Sequence, residues 1–253
     1  MTDPDQQRTD GETPGKSRRY LRSGVVALVV VAVLFGLSLL FSHTVVRSVG
    51  AVFAVGTPGT VSRLLVDVVG LQVLGFGSAV GLFLLTRESE WRSYLRVGKV
   101  STWTVFYGTA VGLALMIVVA LATGIFALLD VGPVETAAGR ATDPLFYLAL
   151  FVVSTFVAVP MEEVFFRGVI QRYLEDQFRT GVAIGVASLL FVFIHTGPTV
   201  SSGGDAVVFG MFFAFGVVLG VSYHRTKNLF VPIIGHVCFN GVQILRRALE
   251  ISI

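Results

Sequence analysis

Charged side chains are scarce in this sequence. They make up 14% of its 253 residues, whereas apolar side chains make up 54% and the mean hydropathy is +0.80. Soluble domains carry about 25% charged residues, so this composition excludes an ordinary soluble protein. It indicates a polytopic membrane protein, and a single domain is expected at this length.

Cysteine is almost absent as well. Cys238 is the only one, so no disulfide can form within the chain and the redox compartment cannot be inferred. The formal net charge of +3 is small, and it comes from the predicted loops. The charge therefore gives no reason to expect a nucleic-acid partner, and the expected surroundings are a lipid bilayer.

Long apolar runs fill most of the chain and predict an all-α, polytopic bundle of transmembrane helices. A helix needs about 20 residues to cross roughly 30 Å of hydrocarbon. The seven candidate spans are 24–40, 64–86, 103–129, 144–172, 181–199, 206–223 and 229–245. No clear signal-peptide cleavage site follows the first span, so we expect that span to remain in the protein.

These spans divide the chain into three parts. Residues 1–19 are polar and are expected to form a disordered cytoplasmic tail. Residues 20–143 are expected to hold three N-terminal spans. Residues 144–248 are expected to form a helical core that carries the candidate chemistry.

Lysine and arginine predict the orientation of the bundle. They concentrate in the tail, in the loop 87–102, in the stretch 171–180 and in the turn 224–228, while the alternate loops carry fewer. Positively charged loops stay on the cytoplasmic side of a membrane. We therefore expect an integral protein of the cell membrane with its N-terminus in the cytoplasm and its C-terminus outside.

Small residues recur at a spacing of four in two of the predicted helices. Gly181 and Gly185 form one such pair, which Ala183 and Ala187 continue, and Gly216 and Gly220 form another. Pairs of this kind let two helix backbones approach closely, but glycine is also simply common in membrane helices. The spacing alone leaves both interpretations open.

Residues 160–167 place ionisable side chains where a membrane span is expected. They read Pro-Met-Glu-Glu-Val-Phe-Phe-Arg, and a charge near the bilayer centre costs roughly 2.5–3.5 kcal/mol on insertion scales. Glu163 and Arg167 are four residues apart, so they share a helix face and can pair. Glu162 has no partner within the motif. This asymmetry predicts that Glu163 and Arg167 support the structure while Glu162 faces a reacting group.

Two further segments add side chains that can donate or accept protons. His195 ends the run Phe191-Val-Phe-Ile-His, and His236 precedes Asn240 by about one helical turn. Together with Glu162 they supply a carboxylate, two imidazoles and an amide, enough to activate a water and stabilise an oxyanion. A single intramembrane His or Asn often only ties helices together, at about 0.6 kcal/mol. Four such side chains on three helices favour a catalytic site.

The three segments together resemble the motifs of a known family, the CAAX-protease and bacteriocin-processing family of intramembrane endopeptidases. The motifs that carry the resemblance are Glu162-Glu163-x-x-x-Arg167, Phe191-x-x-x-His195 and His236-x-x-x-Asn240. Each motif alone is weakly specific, but the three in this order are strongly specific. The family includes the type II prenyl-protein proteases. The first three spans show no such signature.

The resemblance implies a role for each matched residue. Glu162 would be the general base that activates the attacking water, with help from His195. His236 and Asn240 would stabilise the oxyanion. The implied activity is hydrolysis of a peptide bond in a membrane protein or peptide, and prenylated CAAX-type proteins, processed peptides and membrane-protein tails are all compatible substrates.

The resemblance leaves the role of a metal open. The family is often labelled as metalloproteases, although its structural interpretation favours a glutamate mechanism without metal, in which Glu163 and Arg167 would support the site. The His-Glu-x-x-His of zinc peptidases is absent from this sequence. Glu162, His195 and His236 nevertheless match the His₂Glu kind of zinc site. We expect a site without cofactor, with zinc as the alternative.

Other functions fit the sequence less well. The Gly-x-Gly-Asp of aspartyl intramembrane proteases and the Gly-x-Ser-x-Gly of serine hydrolases are both absent. Cys238 is two residues from His236, on a different helix face, and is expected to act as a small buried apolar residue. The main alternative is a non-proteolytic membrane scaffold or immunity protein of the same fold, and a transporter is a more distant one.

The positions of the motifs along their helices require a long fourth helix. His195 lies ~21 Å along its predicted helix, whereas His236 lies near the start of its own. These groups meet Glu162 only if the fourth helix continues to Arg172. Pro160 also frees a backbone carbonyl one turn earlier and favours a kink. We expect the resulting cavity to open to the cytoplasm.

Overall fold

The computed structural model describes the backbone of residues 14–52, 56–57, 59–87, 90–130, 141–196 and 203–252, with side chains except in 14–22, 51–52 and 251–252. All regular secondary structure in these ranges is helical, which confirms the predicted all-α bundle. The predictions for residues 1–13 and 197–199 lie outside the described residues.

Seven long helices and one short helix follow one another along the described chain. They are α1 (Pro14–Val52), α2 (Val61–Leu85), α3 (Trp91–Tyr94), α4 (Thr102–Leu128), α5 (Pro144–Glu175), α6 (Thr180–Thr196), α7 (Gly203–Thr226) and α8 (Phe230–Ser252). Each predicted span corresponds to one of the long helices. Residues 14–19, which the sequence pattern assigns to the tail, belong to α1, because a proline is well tolerated at the first position of a helix.

Length and hydropathy support an integral membrane protein. Among the described helices, α1, α2, α4, α5 and α7 are long and apolar enough to cross a membrane. Helix α6 is apolar but has only 17 residues, which is about 26 Å. Helix α8 has 23 residues, and Arg246, Arg247 and Glu250 near its end make it more polar. Large apolar side chains such as Leu128 and Phe156 are exposed on the outside of the bundle, as expected for contact with lipid.

Local sequence signals determine where the core helices begin and end. Asp143 precedes α5 and accepts a hydrogen bond from the Leu145 backbone N–H at 2.9 Å, which satisfies one of the free donors of a helix start. Lys227 follows α7 with a φ of 49°, a left-handed conformation typical of helix ends. The Asn228 side chain then accepts from the Phe230 N–H at 3.0 Å, so α7 and α8 are joined by a tight turn.

Helix α5 runs without interruption to Glu175, which confirms the long fourth helix. Two stretches of it, Ser154–Ala158 and Val164–Gln171, are π-helical, so their hydrogen bonds join residues five apart. Pro160 lies between them and cannot donate a hydrogen bond to a carbonyl one turn earlier. Wide turns of this kind are frequent at functional sites, and here they flank the acidic motif.

A chain of aromatic rings connects the N-terminal helices with the C-terminal ones. Phe76 of α2 stacks on Phe165 of α5, with 4.3 Å between the ring centres. Phe166 meets Phe191 of α6 edge-on at 5.4 Å, and Phe191 stacks on Phe215 of α7 at 6.0 Å. All five rings are buried. They hold α2, α5, α6 and α7 in a fixed arrangement around the acidic motif.

Only one of the two glycine pairs lies at a close helix contact. A Cβ on Gly216 would lie 2.8 Å from the Cβ of Ser188 in α6, and Gly220 is equally close to α5. No described atom would lie within 4 Å of a Cβ on Gly181 or Gly185. The prediction that glycine permits a close helix contact is therefore confirmed for α7, whereas the glycines of α6 do not lie at such a contact. The buried face of α6 includes Ala183 and Ala187, the alanines that continue the predicted spacing, and Ser188.

Candidate active site

The two neighbouring carboxylates of the acidic motif have different surroundings. Glu163 has no exposed surface, and both of its oxygens are occupied: Oε1 accepts from His236 Nδ1 at 2.9 Å and Oε2 from Arg167 Nε at 3.2 Å. Glu162 keeps 7% of its surface exposed, and its Oε1 accepts from Gln72 Nε2 at 2.8 Å. Its Oε2 forms no hydrogen bond within the described part of the chain. Glu162 is therefore the carboxylate that an incoming molecule can reach.

The ion pair predicted from the four-residue spacing is present. Neither Glu163 nor Arg167 has any exposed side-chain surface. The guanidinium carbon of Arg167 lies 5.4 Å from the centre of the Phe191 ring, within the range of a cation–π contact. Its Nη1 and Nη2 have no hydrogen-bond partner among the described residues. The pair thus buries two opposite charges directly beside Glu162.

The carboxylate of Glu163 also orients His236. Because a carboxylate only accepts hydrogen bonds, Nδ1 of His236 carries a proton, and Nε2 of the neutral ring is left with a lone pair. Nε2 becomes a donor only when the ring is doubly protonated. The ring is 3% exposed and meets Phe215 edge-on at 5.1 Å. The sequence analysis expected His236 in the site but not its bond to the supporting carboxylate.

His195 lies at the C-terminal end of α6. Its Nδ1 is 2.9 Å from the Phe191 carbonyl oxygen one turn earlier, so Nδ1 carries the proton and Nε2 of the neutral ring can accept one. The ring stacks on Phe212 with 4.6 Å between centres. His195 is within electrostatic range of Glu162 and His236. No direct hydrogen bond joins it to either of them in the described structure.

Asn240 lies one turn after His236 on α8. Its Nδ2 donates to the hydroxyl of Ser154 at 3.1 Å, and Ser154 begins the first π-helical stretch of α5. An amide nitrogen carries two hydrogens, so one N–H of Asn240 stays available. The side chain is half-buried. The structure thus brings α8 against α5 through two polar contacts, one from His236 and one from Asn240.

Gln72 is a candidate site residue that the motifs of the sequence do not indicate. It lies in the π-helical stretch Val69–Phe76 of α2, is 5% exposed, and donates to Glu162 across 90 positions of sequence. The motifs all lie in the C-terminal part of the chain, so they gave no reason to look at α2. One signal was present, because an amide in an apolar span is costly unless it finds a partner.

Zinc held by Glu162, His195 and His236 is the predicted alternative to a site without metal. A His₂Glu zinc site needs its three donor atoms within about 2 Å of the metal. In the ranges that the structure describes, no group of three or more His, Cys, Asp or Glu side chains could hold a metal ion. Whether the reaction depends on zinc stays a prediction, which metal analysis of the purified protein can decide.

Comparison with known proteins found a similarity in the C-terminal helices. Residues 144–242 match the family model described as type II CAAX prenyl endopeptidase, Rce1-like. The matched stretch contains all three motifs, and it excludes Gln72. No curated protein and no solved structure matched the chain. The match shows that this part of the chain is similar to the type II CAAX prenyl endopeptidases, and it supports a CAAX-type intramembrane endopeptidase, a hydrolase of the membrane.

Proposed function

We propose that this protein hydrolyses a peptide bond of a membrane-associated substrate with Glu162 as the general base. The observation that carries the proposal is the contrast between the two carboxylates. Glu163 has both oxygens engaged and no exposed surface, whereas Glu162 keeps Oε2 without a partner in the described structure. A general base needs a free lone pair within reach of the proton that it removes, and Glu162 alone of the two offers one.

The proposed substrates are proteins or peptides that end in a prenylated Cys-a-a-X sequence. The family description names a prenyl endopeptidase, and the matched helices include the whole set of candidate site residues except Gln72. A lipid-anchored peptide is held at the membrane, where this bundle of apolar helices also resides. Both partners therefore share one compartment, which favours their encounter.

The proposed reaction has two steps at Glu162. First, Oε2 takes a proton from a water whose oxygen bonds to the peptide carbonyl carbon, and the carbonyl becomes a tetrahedral oxyanion. Then the protonated Glu162 gives its proton to the leaving amine as the C–N bond breaks, which restores the carboxylate. His195, whose Nε2 can accept a hydrogen bond, helps to orient the water.

His236 and Asn240 are the proposed donors to the oxyanion. The second N–H of Asn240 is available without any change in protonation. His236 donates through Nε2 when it is doubly protonated, since Nδ1 already donates to Glu163. In that form the positive charges of His236 and Arg167 balance the negative charges of Glu162 and Glu163. A fixed donor of this kind stabilises charge that develops in the transition state.

The variant Glu162→Gln tests the assignment of the base. The change keeps the size of the side chain but removes its ability to take a proton, so we expect cleavage of a fluorogenic farnesylated Cys-a-a-X peptide to fall to background. The melting temperature in detergent should stay close to that of the wild type. Asp67→Asn, at an exposed carboxylate of α2, is the control and should keep full turnover. Near wild-type turnover by Glu162→Gln would contradict the proposal.

Metal analysis tests the alternative chemistry. We expect purified active protein to keep its turnover in the presence of a zinc chelator. Stoichiometric zinc, with activity lost on stripping and restored by zinc, would overturn the metal-free mechanism. The role of Glu162 as a site residue would survive that result, whereas the roles of His195 and His236 would change.

A further inference from the structure

We propose that Gln72 positions Glu162 for catalysis, so that α2 contributes to an active site whose motifs all lie in α5, α6 and α8. The inference rests on the proposed role of Glu162 as the base. Gln72 lies outside the stretch that matches the CAAX-protease family. It is a positioning residue, because it contacts the base and not the reacting atoms.

The contact between the two side chains is short and enclosed. Gln72 Nε2 donates to Glu162 Oε1 at 2.8 Å, and the two residues are 5% and 7% exposed. A hydrogen bond to a charged acceptor is stronger than one between neutral groups, so it can hold the carboxylate in one orientation. The bond leaves Oε2 as the oxygen of Glu162 that is free to meet a water.

Gln72 is itself held firmly by the packing of α2. A Cβ on Gly75 would lie 2.8 Å from the backbone oxygen of Ser38 in α1, so glycine at this position permits a very close approach of the two helices. On the other side, Phe76 stacks on Phe165. Helix α2 is therefore fixed between α1 and α5, and a donor carried by its π-helical stretch has a defined position.

Stability alone does not explain a glutamine at this place. Gln72 Oε1 is buried and has no hydrogen-bond partner in the described structure, and an unsatisfied buried acceptor is destabilising. An apolar side chain of the same volume would avoid this cost. The glutamine is explained if the hydrogen bond that its Nε2 donates to Glu162 is needed for catalysis, because an apolar side chain cannot donate that bond.

Gln171 provides a matched control. It is also a buried glutamine, its Nε2 also donates to a glutamate, Glu175 at 3.1 Å, and its Oε1 is also unsatisfied among the described residues. Its Nε2 donates in addition to the Gly220 carbonyl at 2.9 Å, so its replacement removes at least as much structural hydrogen bonding as the replacement of Gln72. Glu175 lies at the end of α5, away from the proposed catalytic residues. The same substitution at Gln171 therefore measures the structural cost of losing such a contact without touching the base.

Three variants of the full chain separate positioning from packing. Gln72→Met keeps the volume but has no donor, whereas Gln72→Asn keeps the amide but leaves a small cavity. With a fluorogenic farnesylated Cys-a-a-X peptide, we expect kcat to fall about 10–100-fold in Gln72→Met, by analogy with the loss of residues that orient the ligands of a metal ion. KM should change little. Gln72→Asn should be the more active of the two although it melts at the lower temperature, and Gln171→Met should keep its kcat.

An infrared measurement tests the contact without any substrate. With ¹³C-labelled glutamate, subtraction of the Glu162→Gln spectrum isolates the carboxylate band of Glu162. Loss of the amide donor should shift this band in Gln72→Met and leave it in place in Gln171→Met. An unshifted band in Gln72→Met would overturn the inference, whether or not the peptide is cleaved.

The outcomes also distinguish the two proposals. Activity that is lost in Glu162→Gln but retained in Gln72→Met would overturn the role of Gln72 and leave the base assigned. A kcat that follows the melting temperature across all three glutamine variants would likewise reduce Gln72 to a packing residue. Full activity of Glu162→Gln would overturn the proposed function. It would also overturn the positioning role of Gln72, because that role depends on Glu162 being the base.

Discussion

The buried pair of Glu163 and Arg167 gives the first prediction at the scale of single residues. Replacing either side chain by alanine leaves the other charge buried without its partner, which typically costs about 3–5 kcal/mol. We therefore expect both alanine variants to melt at clearly lower temperature. Arg167→Lys should also be destabilised, because lysine lacks the planar fork of arginine.

The pair formed by Arg63 and Asp67 is the control for this experiment. It has the same four-residue spacing and an Nε–Oδ1 distance of 2.9 Å, but its side chains are 37% and 47% exposed. Exposed pairs contribute only about 0–1 kcal/mol. If Glu163→Ala is no more destabilised than Asp67→Ala, the buried pair does not support the site.

Asn240 allows a prediction on the oxyanion. Loss of one oxyanion donor typically lowers kcat by about 10²–10³, so Asn240→Ala should lose that much with little change in KM, because the contact matters mainly in the transition state. Asn240→Asp should lose more, since its carboxylate repels the developing charge. Ser154→Ala removes only the hydroxyl that holds the amide and should have the smaller effect. Steady-state kinetics on the three variants would contradict the role if Ser154→Ala proved the most harmful.

Local spacing explains why most of the candidate site residues could be found in the sequence. Residues four apart share a helix face whatever the helix packs against, so the pairs in the three motifs were visible at once. Long-range contacts have no such pattern. Gln72 donates to Glu162 across 90 positions of sequence, and His236 donates to Glu163 across 73. Both hydrogen bonds depend on which helices become neighbours in the fold.

Glycine packing gives a prediction at the scale of helices. A Cβ on Gly216 would lie 3.0 Å from the Cα of Ser188, whereas nothing described lies near one on Gly185. Overpacking a tight contact costs about 1–3 kcal/mol, so Gly216→Ala should lower the melting temperature in detergent. Gly185→Ala should leave it equal or raise it, because alanine favours helix over glycine. Equal melting of the two variants would show that α6 and α7 do not touch through Gly216.

The course of α5 could be predicted only in part. Its length followed from the need to bring Glu162 to the level of His195 and His236, and Pro160 indicated a perturbed helix. The two π-helical stretches were not expected. The sequence pattern does not distinguish a π-helical turn, whose hydrogen bonds join residues five apart, from an α-helical turn, whose hydrogen bonds join residues four apart. They matter for the site because the second stretch begins directly after Glu163 and sets the direction of Arg167.

Orientation in the membrane belongs to the scale of the whole molecule and remains a prediction. The distribution of lysine and arginine places the segments after Arg96 and after Arg179 in the cytoplasm. Reporter fusions at these two positions should therefore give cytoplasmic signals. A fusion at Ser202, which lies outside the described residues, should report the external side. A cytoplasmic signal there would mean that α6 does not cross the membrane.

The bond between Glu163 and His236 has a consequence for how the protein is made. Translation supplies Gln72 first, Glu162 and Glu163 next, and His236 only after α6 and α7 have been synthesised. Until α8 inserts, the growing chain lacks both proposed oxyanion donors, so the proposed active site is incomplete throughout the synthesis of α1 to α7. The candidate site is assembled only when α8, the last described helix, docks against α5.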